Sequence, residues 1–152
     1  MIKIITIGKI KESYLQSAIS DYLTRLNKYH KTEIIELKES ITDDTNKNIK
    51  IEAQTFNKYI KPNDYVIVCD IEGKSIDTLA LSEEINKGLT SYTGDIIFII
   101  GSSHGVGNSI KSRANLKISF SKLTFPHQLF RVILLEQIYR VFKVLNNESY
   151  HK

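Results

Sequence analysis

The 152-residue chain has no tryptophan, one cysteine, two prolines and seven glycines. A lone Cys69 excludes an intrachain disulfide framework and a cysteine-rich zinc site. The four histidines, His30, His104, His127 and His151, show no H-x-x-x-H spacing, so no metal is expected. There is no Gly-Lys-Ser/Thr phosphate loop and no G-x-S-x-G elbow. The glycines at 101, 105 and 107 do not make the G-x-G-x-x-G dinucleotide fingerprint. No apolar run approaches the ~20 residues needed to span a bilayer. The opening MIKIITIGKIKE lacks a long apolar segment and a small-residue cleavage site, so no signal peptide and no membrane contact are expected. A cytoplasmic protein is the default reading. No Gly/Pro/Ser-rich stretch divides the chain, and one domain over 1–152 is expected.

What is present suits a globular domain. Hydrophobic residues make up 41% and charged residues 25%, and a chain of this length buries roughly two thirds of its unfolded surface. The net charge of +4 is unevenly placed. Lys3, Lys9, Lys11, Arg25 and Lys28 outnumber Glu12 and Asp21 near the start. Lys122, Arg131, Arg140, Lys143 and Lys152 outnumber Glu136 and Glu148 near the end, while the centre is mildly acidic. Basic ends suit a polyanion partner, and they equally suit an ordinary solvated surface.

Periodicity gives the fold class. Ile2–Ile7, Thr32–Leu37, Tyr65–Cys69, Ile96–Ile100 and Lys117–Phe120 read as strands. Helical spacing covers Glu12–Tyr29, about Asn46–Tyr59, a segment opened by Ser82-Glu83-Glu84, about Asn108–Ala114, and Phe125–Leu145 with Pro126 at its first turn. Asp70–Lys74 reads as a loop and Asn146–Lys152 as a dangling tail. Strands alternating with helices predict an α/β fold, a parallel sheet flanked by helices.

Four segments are candidates for chemistry. Gly101–Gly107 follows a buried strand, where open α/β sheets bind ligands, and it also reads as a plain strand-to-helix turn. Ser119–Gln128 leads into a helix whose first N–H groups are free to bind a polar edge or an anion. His127 there reads as a surface or cap residue, or as a catalyst. The last helix carries apolar residues over more than one stripe, enough for the sheet and a partner subunit, or for burial in a monomer. Tyr150-His151-Lys152 can stack on a base and contact phosphate, and is also short enough to be a disordered end. Cys69, inside an apolar strand, reads as a core residue.

The runs Phe98–Gly101, Ser119–Gln128, Leu135–Arg140 and Tyr150–Lys152, with Met1–Ile4 and Asp70–Lys74, resemble the RlmH family over essentially the whole chain. These are large-subunit ribosomal RNA pseudouridine-1915 N3-methyltransferases of the SPOUT class. The resemblance implies a sheet whose C-terminal part forms a trefoil knot, roughly residues 96–126 with the last helix. It implies S-adenosylmethionine held by Cys69, Gly101, Phe120, Ser121, Lys122, Leu123, Thr124 and Phe125. It also implies a homodimer through the last helix, with each site completed across the interface, and a 23S rRNA substrate. Cys69 stands where leucine is common, and Ser102 where a second glycine usually follows Gly101.

The pseudouridine N3 proton lies between two carbonyls and is weakly acidic, so a base or a charge-stabilising cation helps remove it. Arg140, His127 and His151 are the candidates. The expected roles are Arg140 stabilising the developing charge, Tyr150 and His151 closing over the base, and Arg131, His127 and Lys152 contacting RNA. With no separate RNA-binding domain, recognition is expected on the assembled ribosome. The competing expectations are a non-catalytic dimeric RNA- or ribosome-binding module, and a SPOUT enzyme acting on transfer RNA.

Overall fold

The computed structural model describes residues 1–150. Ten elements alternate along the chain: β1 (Ile2–Ile7), α1 (Ser13–Leu26), β2 (Thr32–Leu37), α2 (Thr45–Asn57), β3 (Tyr65–Ser75), α3 (Thr78–Ser91), β4 (Ile96–Ile100), α4 (Asn108–Arg113), β5 (Leu116–Ser119) and α5 (His127–Leu145). The strands form one sheet in the order β2-β1-β4-β3-β5, with every neighbouring pair parallel. The expected α/β class with a helix-flanked parallel sheet is what the chain adopts.

Both faces of the sheet are covered. Side chains alternate across a strand, so one set of residues faces each helical layer. Ile2, Ile4, Tyr65, Ile67, Ile96 and Phe98 pack with Leu26 of α1, Leu81 and Ile85 of α3, and Leu134, Leu135, Ile138 and Val141 of α5. Ile5, Ile7, Val66, Val68, Ile97 and Ile99 pack with Ala53 and Phe56 of α2 and Ile110 of α4. Continuous β-branched runs are what a doubly covered strand requires.

Three expectations are corrected. β3 does not stop at Cys69: it runs on to Ser75, with a register shift in which Cys69 and Lys74 both pair with Ile118 of β5. Asp70–Gly73 therefore bulges from a strand rather than forming a free loop. A Cβ at Gly73 would lie 2.5 Å from the Ile118 carbonyl carbon, so the bulge needs a glycine. Helix α3 starts a turn before Ser82, because the Asp77 carboxylate accepts a 2.8 Å hydrogen bond from the Ala80 N–H and caps it. Pro126 is the N-cap residue of α5 rather than its first helical residue.

The breadth of the apolar surface of α5 has an internal cause. Leu134, Leu135, Ile138, Val141 and Phe142 are buried within the single chain, against the sheet and beside α1 and α3. What α5 leaves outward is narrower: Leu129 is exposed, and Val132, Ile133, Glu136 and Arg140 are half-buried.

The tail is not dangling as far as it is described. The Tyr150 ring packs edge-on against Tyr139 and lies over the Arg140 guanidinium. Lys143 and Glu148 form a 2.5 Å ion pair that closes the turn after α5, and Asn147 takes φ 55° within it.

Candidate functional site

The carboxyl ends of β3, β4 and β5 meet at a cavity of about 320 Å³. That volume lies at the lower end of the range of small-ligand sites, roughly 300–1,000 Å³. Cys69 ends the regular part of β3, Gly101 follows β4, and Ser119 ends β5. All three line the cavity, as expected for ligand sites at the carboxyl edge of an open parallel sheet.

Its floor is apolar, formed by Ile100, Ile118, Val106 and Cys69. One wall is aromatic. The rings of Phe120 and Phe130 meet edge to face at 5.1 Å, and Phe125 stacks on Phe130 at 6.1 Å. The 119–125 loop holds its shape by short-range bonds: the Ser119 hydroxyl donates to the Ser121 carbonyl at 3.0 Å, and the Leu123 N–H donates to Ser121 Oγ at 2.9 Å. Small polar residues suit such a loop because their side chains replace backbone partners.

The opposite wall is the loop Gly101–Gly107. It folds back on itself through a bridge between Ser102 and Gly105, with the Gly105 N–H donating 2.9 Å to the Ser102 carbonyl. Gly105 sits at φ +90°, a conformation that favours glycine. At Gly101 a Cβ would stand 2.4 Å from the Gly105 oxygen, so no larger residue fits the loop as folded.

The electrostatics are sparse. Burial pushes the Cys69 thiol up to about 12, so it is a neutral wall atom at physiological pH, not a nucleophile. Asp70 sits at the edge of the cavity. Burial works against its charge, but the Lys111 ammonium at 2.5 Å and the Glu72 N–H outweigh that and hold it below the usual carboxylate range. Burial, assisted by neighbouring Arg131, pushes the His127 imidazole below its ordinary value, so it is neutral at pH 7. Its Nε2 stands 3.3 Å from the Ile7 carbonyl oxygen, and the Nε2–H tautomer donates there.

Of the residues singled out in the sequence, Cys69, Gly101, Phe120, Ser121, Leu123, Thr124, Phe125 and His127 share this cavity. Lys122 lies on the same loop but is exposed and outside the lining. Arg140 and Tyr150 form a second cluster on the outer side of α5. Arg140 Nη2 donates 2.6 Å to Glu136 Oε1, the Tyr150 hydroxyl reaches the same oxygen at 3.4 Å, and the Tyr150 ring covers the guanidinium at 4.8 Å. Within one chain neither residue lines the cavity. His151 and Lys152 lie outside the described residues.

Two residues expected to contact RNA sit away from any free cationic surface. Arg131 is 1% exposed; its guanidinium pairs with Glu36 at 2.9 Å and donates 2.7 Å to the Ile7 carbonyl, so it ties α5 to β1 and β2. His127, neutral and turned to the cavity, is not a surface cation. Sequence reasoning also missed Glu136 and Glu52. Glu136 was detectable, standing four residues before Arg140 on one helix face. Glu52, a buried carboxylate in a polar helix, left no signal in the spacing. Among the described residues no three His, Cys, Asp or Glu side chains converge as a metal site, and no helix is long and apolar enough to cross a membrane.

Residues 1–151 match the family model described as "Predicted SPOUT methyltransferase". The chain is 47% identical over 157 residues to the ribosomal RNA large subunit methyltransferase H of Clostridium botulinum strain Hall, covering 99% of each chain. It is likewise 47% identical over 158 residues to the protein of that name from Caldicellulosiruptor bescii, covering 100% of both.

Proposed function

The chain belongs to the SPOUT methyltransferases, in the RlmH family of ribosomal RNA methyltransferases, and from that premise we propose that it methylates N3 of pseudouridine 1915 in 23S rRNA on the assembled ribosome, using S-adenosylmethionine. One observation carries the reading: the cavity at the strand ends gathers Cys69, Gly101, Phe120, Thr124 and Phe125 around an apolar floor. Asp70, Ser102, Ser119, Ser121 and Thr124 supply polar groups around it, and its apolar faces fit the adenine plane.

The bound donor supplies an electrophilic methyl group that needs no activation. Gly101 lets its loop close against Gly105 to form one wall of the donor's seat, and the Phe120–Phe130 pair would shield the other side from water. Asp70, kept ionised by Lys111, is an acceptor for hydroxyl groups at the rim. The acceptor base has to be oriented in line with the transferring methyl, and its N3 proton has to leave. We assign the charge stabilisation to Arg140, which Glu136 orients, with Tyr150 and His151 of the tail closing over the base and Lys152 meeting phosphate.

Arg140 and Tyr150 lie outside the cavity of their own chain, so this assignment calls for a second copy. The outward residues of α5, Leu129, Ile133, Glu136 and Arg140, share one helix face, and Ile133 lines a neighbouring cavity together with Phe120 and Phe125. A homodimer through α5 brings one copy's Arg140 cluster beside its partner's aromatic wall. Threading of residues 96–126 with α5 into a trefoil knot would give the two cavity loops their mutual support.

The test is methyl transfer from tritiated S-adenosylmethionine to whole ribosomes, naked 23S rRNA and transfer RNA, with the labelled nucleotide identified by mass spectrometry. Label on pseudouridine 1915 of ribosomes is expected. Label on transfer RNA alone points to the other substrate class, and failure to bind the donor at millimolar concentration points to a binding module.

A further inference from the structure

Helix α2 lies on the far side of the cavity loop and contributes no residue to the cavity lining. It nevertheless holds a carboxylate against that loop. Glu52 is 2% exposed, and its partners are both neutral donors: Ser102 Oγ gives a 2.8 Å hydrogen bond to Oε2, and the Ser40 N–H gives 3.2 Å to Oε1. Burying a carboxylate without a cation is costly, and an apolar residue would seal the same space more cheaply. What the carboxylate adds is direction.

That direction reaches the cavity. The Ser102 hydroxyl is fixed at both ends, donating to Glu52 and accepting from the His104 N–H at 3.4 Å. The Ser102 carbonyl accepts from Gly105, and Gly105 presses on Gly101 so closely that no Cβ fits between them. Gly101, Ser102 and Gly105 all line the cavity. A shift at Ser102 therefore moves the wall, since packed loops transmit displacement instead of absorbing it.

We infer that Glu52 is a positioning residue for the methyl-donor site, acting through the hydroxyl of Ser102 to set the backbone wall the donor meets. This rests on the cavity being the donor's seat. It also gives the serine after Gly101 a use: the side chain that replaces hydrogen there is the one that reaches Glu52.

The experiment is calorimetric titration of the full chain with S-adenosylmethionine, for wild type, Ser102→Ala, Glu52→Gln and the double variant, with urea unfolding of each. A hydrogen bond to a charged group is worth enough to raise Kd about tenfold when lost. Each single variant is expected to show about that rise, and the double variant to be no weaker than the weaker single, because both act through one contact. Wild-type Kd in Ser102→Ala overturns the inference, as does a double variant in which the two losses multiply. A lower unfolding midpoint with unchanged Kd assigns Glu52 to stability alone and also overturns it. If Glu52→Gln fails to fold, Ser102→Thr decides: keeping the hydroxyl restores Kd to within about threefold, and a threonine no better than alanine sinks the claim. If wild type does not bind the donor, it is the reading of the cavity that fails.

Discussion

The Arg131 guanidinium is held between Glu36 Oε1 at 2.9 Å and the Ile7 carbonyl at 2.7 Å, joining the first turns of α5 to the ends of β1 and β2. The arginine is buried while Glu36 keeps partial contact with solvent, and Arg131 Nε has no partner among the described residues. The same Glu36 oxygen accepts the Ile10 N–H at 3.0 Å, so the segment after β1 depends on this pair.

Arg131→Met is expected to lower unfolding stability by about 2–3 kcal/mol. That is below the full cost of breaking a buried pair, because water can still reach Glu36. Urea titration at low and high salt checks it. A loss under 0.5 kcal/mol, about the size of an ordinary surface change, would show the pair to be incidental.

Gly101→Ala puts a methyl group 2.4 Å from the Gly105 oxygen. The loop has to open, and donor binding is expected to weaken by more than about tenfold, with about 1–3 kcal/mol lost from the fold. Calorimetry and thermal unfolding read both effects. Gly105→Ala meets no atoms but strains a residue at φ +90°, so its cost is expected to fall on stability first.

Arg140→Ala, and separately a chain ended before Tyr150, are expected to slow methyl transfer to ribosomes by about a hundredfold or more while leaving donor affinity near wild type. The split between rate and affinity is the measurement. Equal rates in both variants would remove this cluster from the chemistry.

Burial holds both His30 and His127 below the ordinary histidine value of 6.5, with the N-terminal ammonium and Arg131 respectively adding to it. The folded protein therefore resists protons that the unfolded chain takes up. Their contribution to stability is complete above pH 6.5 and is lost as pH falls through that value toward the folded one. Asp70 and Asp95, held below 3.8, add a further loss only at more acid pH. Urea midpoints are expected to drop between about pH 7.5 and 5, and His127→Asn to flatten part of the slope. A midpoint constant over that interval would contradict the burial argument.

The strands are legible from two patterns: Ile2–Ile7 and Ile96–Ile100 are dominated by buried β-branched residues, while Thr32–Leu37, at the sheet edge, alternates polar and apolar, and all three have the bounds their residues suggest. β3 was cut short because Asp70, Glu72 and Lys74 look like a loop, and only the pairing with Ile118 keeps that backbone extended. The start of α3 was hidden because the cap, Asp77, precedes residues without clear periodicity. The two cavity loops, within Gly101–Gly107 and Ser119–Gln128, are legible from their place after strands, whereas the individual donor contacts come only from the family resemblance. The burial of Arg131 is not legible because sequence gives charge without environment: a guanidinium is as well served by a carboxylate and a carbonyl inside as by phosphate outside. The packing of Tyr150 is hidden in the sequence because its partners, Tyr139 and Arg140, become neighbours only when the chain turns back after α5.

The strand order β2-β1-β4-β3-β5 has a consequence for biosynthesis. β3 is translated well before either of its neighbours, β4 and β5, so its hydrophobic stretch emerges with no ladder to join. Only β1 and β2 can pair early, and the centre of the sheet closes once some two thirds of the polypeptide has been made. Nascent chains arrested short of β4 are therefore the ones most exposed to aggregation and to capture by chaperones.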